Sequence, residues 1–209
     1  MRRVPALFSV LVLVVVAGCT TTSEGEPLPV TTEKTTSTGD MPSTSSGQQL
    51  PFAGAPKVHA PLDTGRFQQD PCRALTTEQV QSLDFPPVGE ARDAPFGKAC
   101  TWSNRDTGGR ATVHFLDRDP RGLSAEYQAH EDGKVAFFDE LPLIEGYPAI
   151  VSNLEDDRSI GRCTVVVGVS DQVRFEVPIW LSQVNIGTKD PCEIAVMVAG
   201  LALQTMKES

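Results

Sequence analysis

The sequence predicts an α+β domain in which helices pack mainly on one face of an antiparallel sheet and two disulfides tie the layers together. Three observations carry this: an alternating hairpin pattern from Cys163 to Pro178, an almost wholly apolar stretch from Ile194 to Leu203, and four cysteines at the starts of strand-like and helix-like segments. In the hairpin, Val173, Phe175 and Val177 alternate with Gln172, Arg174 and Glu176, so one face is wet and the other is core. Cys163, Val165, Val167 and Val169 share one side of the preceding strand. The last segment predicts a helix from Pro191 to about Lys207. Its apolar run is half a membrane span, so it reads as a buried helix lying on the sheet. Ala195, Ala199 and Ala202 fall on one of its faces and permit close approach.

The cysteines sit in repeated local contexts. Asp70-Pro71-Cys72 and Asp190-Pro191-Cys192 each offer Asp as N-cap and Pro in the first helical turn, whereas Cys100-Thr101-Trp102 and Cys163-Thr164-Val165 open strands. Four cysteines allow three pairings. The simplest joins each helix start to the strand nearest in sequence, giving Cys72–Cys100 and Cys163–Cys192. Loops of that size contribute about 3.5 kcal/mol each in the chain-entropy account. The alternative, a four-cysteine metal site, lacks any close Cys-x-x-Cys pair.

The remaining elements follow from shorter signals. Thr76 with Gln79 forms a capping box, predicting a helix from Thr77 to about Asp84 that Pro86-Pro87 ends. Lys98 to Asn104 and Arg110 to Asp117 predict two strands joined by a turn at Asp106-Thr107-Gly108-Gly109. A helix is expected over Leu123 to Glu131 and a strand over Tyr147 to Asn153.

The N-terminus reads as an address. Met1-Arg2-Arg3, the apolar run Leu7 to Val16 and the box Val16-Ala17-Gly18-Cys19 form a lipoprotein signal over residues 1–18, with Cys19 as the lipidated first residue of the mature chain. An ordinary secretory signal would not place a cysteine directly after the small residues. Stable anchoring needs more than one acyl chain, as a diacyl or triacyl cysteine supplies. Residues 19–69, rich in Thr, Ser, Pro and Gly, predict a disordered tether of roughly 40 Å end to end. Its Ser/Thr clusters are O-glycosylation acceptors, with an unmodified spacer as the alternative. Residues 70–209 then make the single folded domain.

Together the lipobox, the tether, Asp70-Pro71-Cys72 with Leu75, Cys100-Thr101-Trp102, Gly146-Tyr147-Pro148-Ala149, Cys163, and Asp190-Pro191-Cys192-Glu193 with Ala195 resemble a family of actinobacterial lipoproteins of unknown function. That resemblance implies two disulfides and an envelope location, and it brings no catalytic residues with it.

Chemistry is sparse. The formal charge of −9 disfavours nucleic acid and anionic headgroups. No nucleophile elbow, phosphate loop, dinucleotide fingerprint or zinc-protease motif occurs. His59, His114 and His130 read as solvated, Asp117 and Asp119 as a turn, and Asp139, Glu140, Glu145, Glu155, Asp156 and Asp157 as a solvated acidic loop. No catalytic, cofactor-binding or metal-ligating residue is assigned, and no cofactor is expected. The expected function is a non-catalytic binding or sensing module on the extracytoplasmic side of the cell membrane. It is held there through the lipid on Cys19, and its partner is an envelope protein or a small ligand. The alternatives are an envelope hydrolase or metal-dependent enzyme, and a carrier of an apolar ligand. If Cys19 carries the anchor, Cys19→Ala should move the protein out of the membrane fraction while the domain stays protease-resistant. A mutant retained in the membrane, processed and folded, would place the anchor elsewhere.

Overall fold

A computed structural model describes residues 49–208, which form one compact unit. The signal, Cys19 and the greater part of the tether lie outside the described residues. Within them no helix is long and apolar enough to cross a membrane.

Seven antiparallel strands form one sheet: β1 (Glu90–Ala94), β2 (Gly97–Ser103), β3 (Arg110–Phe115), β4 (Phe137–Ile144), β5 (Tyr147–Asn153), β6 (Arg162–Gly168) and β7 (Arg174–Trp180). Their spatial order is β1-β2-β3-β7-β6-β5-β4. The helices are α1 (Gly65–Gln69), α2 (Thr77–Ser82), α3 (Ser124–Glu131) and α4 (Pro191–Lys207).

The register sorts side chains by face. Cys100 pairs with Val113, Phe115 with Phe175, and Val165 with Val177 and Val151, so these residues share the apolar face. α4 lies over that face with Ala195, Val198, Ala199, Ala202, Leu203 and Met206 buried. Ala195, Ala199 and Ala202 are fully covered, so the expected small-residue approach is present. Asp190 caps α4 as read, its carboxylate accepting from the Cys192 and Glu193 amides. The Thr76/Gln79 capping box is also formed.

Both expected disulfides are present. Cys72–Cys100 and Cys163–Cys192 close separations of 28 and 29 residues, with Cα–Cα distances of 5.0 and 5.1 Å. Cys72 sits in a single 3₁₀ turn, Pro71–Ala74, rather than at the start of a longer helix. Leu75 is extended immediately after that turn, and Thr76 then caps α2.

Two expectations need correction. Residues 49–69 are not tether: Ala55, Val58 and Phe67 are buried, and α1 packs into the core. The segment is a strap. Its Phe52 amide donates to Ser124 Oγ at 2.9 Å, Val58 to Asp171 Oδ1 at 2.9 Å, and Leu62 to the Val169 carbonyl at 2.9 Å. Pro51, Pro56, Pro61, Gly54 and Gly65 hid it, because they interrupt any helical or strand period among its apolar side chains. Second, Asp139 and Glu140 belong to β4, an edge strand whose outward positions tolerate charge. β1 had no counterpart among the expected elements: with four of its five residues exposed it carries no hydrophobic signal and forms by pairing with β2.

Non-reducing peptide mapping of the purified chain should return only Cys72–Cys100 and Cys163–Cys192. Replacing Cys163 and Cys192 together by Ala should lower stability by about 3 kcal/mol in denaturant titration. A crossed Cys72–Cys192 peptide would contradict the strand order.

Candidate functional site

The second face of the sheet is where polar groups gather. By register it carries Thr101 beside Thr112, His114 beside Glu176, Arg174 opposite Gly168, and Ser152 at the β5 end. One short helix, α3, covers part of it. Leu123, just before α3, and Tyr127 of α3 pack with Ala55, Ile150 and Val166 as a small separate core. Gly122, at φ +51°, leads into the helix where a Cβ would run into the Asp171 carbonyl of the β6–β7 turn.

Ion pairs fasten the rest of α3. Arg174 is 5 % exposed, although hairpin alternation put it on the wet face. Its Nε donates to Glu126 Oε1 at 3.1 Å, Nη2 to Asp119 Oδ2 at 3.3 Å and Nη1 to the Asp119 carbonyl at 3.3 Å. Glu126 Oε2 accepts from Ser152 Oγ at 2.9 Å. Arg121 holds both oxygens of Asp119 at 2.7 Å. The Arg121 hydrogen bonds, aided by the charge of Arg174, keep the Asp119 carboxyl below its ordinary range despite partial burial. Hydrogen bonds of Arg121 to Asp119 correspondingly raise the guanidinium. On the far side of α3, Tyr127 donates to Glu140 Oε1 at 2.8 Å, and burial with that bond pushes its phenol well up.

Beside α3 the face stays open as a groove of about 740 Å³. Its rim carries Phe96, Leu154 and Trp180, all exposed. Trp180 lies between its cross-strand neighbours Arg110 and Arg162, whose guanidinium carbons stand 4.3 and 4.4 Å from the ring centroid. Arg162 also reaches Asp157 Oδ2 at 3.2 Å. Asn153 Oδ1 accepts from the Thr164 amide, while its Nδ2 is buried without an acceptor.

His114 corrects the sequence reading. It is 9 % exposed, not solvated, with Nδ1 2.8 Å from Glu176 Oε1 and Nε2 buried without a partner. His130 and His59 are exposed, as read, and His130 stacks on Phe138 at 4.3 Å between centroids. Among the described residues no group of three or more His, Cys, Asp or Glu side chains is placed to hold a metal ion. The four paired cysteines serve the fold. Sequence reasoning missed Arg174, Glu126, Asp119, Ser152 and Trp180. The only local signal for Arg174 was Gly168 in the neighbouring strand, where an absent side chain leaves room for Leu123 of the α3 layer.

A family model described as a protein of unknown function, DUF3558, matches residues 14–205. The chain belongs to that family. No curated protein and no solved structure matches the chain. In this DUF3558 domain the polar groups beside α3 and the exposed Phe96, Leu154 and Trp180 meet in one groove.

Arg174→Met should cost about 3 kcal/mol in denaturant unfolding, because it leaves Asp119 and Glu126 half-buried without their shared cation. Acid should act at the same place. Asp119 has its folded-state pKa below the unfolded one, so its stabilisation is complete above the ordinary carboxylate range and is lost as pH falls through the folded value. Thermal melts from about pH 6 down to about pH 3 should show a shallower acid loss in Asp119→Asn than in the parent.

Proposed function

We propose that this protein is an actinobacterial-type envelope lipoprotein, anchored through an acylated Cys19, whose folded domain is a non-catalytic binding or sensing module outside the cytoplasmic membrane. The basic start, apolar run and lipobox support the anchor, and residues 20–48 serve as the spacer between lipid and fold. Its partner is an envelope protein or small ligand; nucleic acid is disfavoured by the acidic charge.

The observation that carries the binding reading is the groove beside α3, where an exposed apolar rim surrounds polar groups already paired with one another. General acid–base chemistry needs a group able to exchange a proton with a reacting atom. Here Glu126 is held by Arg174 and Ser152, Asp119 by Arg121 and Arg174, and Glu176 by His114. Ser152 donates to the same Glu126 carboxylate that Arg174 holds. The free nitrogen of His114 is enclosed rather than presented to the groove. Recognition asks less: apolar contact at Phe96, Leu154 and Trp180, with the half-exposed guanidiniums of Arg121 and Arg162 as polar contacts.

Photocrosslinking in the native host tests this with the whole chain. A photoreactive phenylalanine at Thr164, in the groove, should give a discrete adduct, whereas the same probe at Glu193 on α4 should give none. Equal labelling at both positions, or none at Thr164, would count against the groove.

A further inference from the structure

We infer that a second cavity, on the helix-covered face and meeting the groove at Ile179 and Trp180 of β7, binds a single-chain carboxylate of about ten to twelve carbons, with its tail between helices and sheet and its head at Lys189. The cavity has a volume of about 300 Å³ and lies where the end of α2, the residues after β7 and the start of α4 meet. Leu83, Phe85, Leu181, Ile194 and Met197 give it a mainly apolar lining. Apolar walls of this kind suit an alkyl chain, and since a cavity of about 150 Å³ accommodates a benzene ring, twice that volume suits a chain of roughly twelve carbons.

The head group is assigned by charge. Lys189 lines the cavity, and its amine pairs with no carboxylate among the described residues. Asn185 and Ser182 line the same space and offer further polar contacts. Asp84 also lines it and carries the opposing charge, which fixes the sign of a second test. Met197, 52 % exposed, stands on α4 where a ligand would enter or leave.

Residues 20–209 keep the whole compact unit and both disulfides without the lipid. Calorimetric titration of that chain with decanoate should give saturable one-to-one binding, at least tenfold tighter than hexanoate. Ile194→Phe, which fills the cavity, should weaken decanoate at least tenfold with an unchanged circular-dichroism spectrum. Should that variant fail to fold, Met197→Trp at the mouth replaces it. Lys189→Gln should weaken decanoate about tenfold and leave decanol unchanged, whereas Asp84→Asn should tighten decanoate. The inference is overturned by absence of saturable binding, by binding that folded filled variants retain, or by a Lys189→Gln effect shared equally by decanol.

Discussion

The sheet presents a continuous apolar face running from Cys100 and Val113 through Phe115, Phe175 and Val177 to Val165 and Val151, and this surface has to be taken out of water for any of the strands to persist. α4 does most of that. Each large side chain it covers contributes about 1.5–3 kcal/mol relative to exposure. Alanines at its contact positions bring the helix axis close, and Cys163–Cys192 ties its first turn to the strand beneath. Cys72–Cys100 does the same for the 3₁₀ turn that precedes α2. With one face closed so firmly, the other is released from the duty of being core.

That release explains the polar character of the second face. α3 is short and predominantly polar, so apolar burial around Tyr127 and Leu123 holds only one end of it. The rest is held by Arg174, which places a guanidinium between two carboxylates from different segments. A buried cation with two partners is specific in geometry but expensive to break. The groove inherits its wall from this arrangement.

Legibility in the sequence followed the same division. Elements on the helix-covered face announced themselves: alternation in β6 and β7, the capping box at Thr76, the Asp190 cap and the apolar run of α4 all point one way, and the disulfide pairing follows from them. The second face was harder to read. Arg174 and Glu176 alternate with Val173, Phe175 and Val177 as solvent-facing residues do, and only the arrival of α3 from elsewhere in the chain buries Arg174. His114 is similar, since its partner Glu176 lies 62 residues away. β1 and β4 are edge strands whose composition is governed by exposure, so neither carries an apolar period. The strap was disguised by its Pro and Gly residues, which continue from the segment before it although apolar side chains become more frequent over residues 49–69.

The strap also governs how the domain bears a mechanical load. A pull applied at residue 49 first meets the contacts of Phe52 and Ala55, then the Val58 and Leu62 hydrogen bonds, which are loaded one after another and yield in sequence. Peeling stops at Cys72. There the covalent bond to Cys100 transfers tension directly into β2, a strand paired on both edges, so the yielding portion is confined to residues 49–71. The chain thus has a sacrificial leader in series with a locked body, and the groove wall that Ser124 and α3 provide is the first part of the body to lose its support under tension.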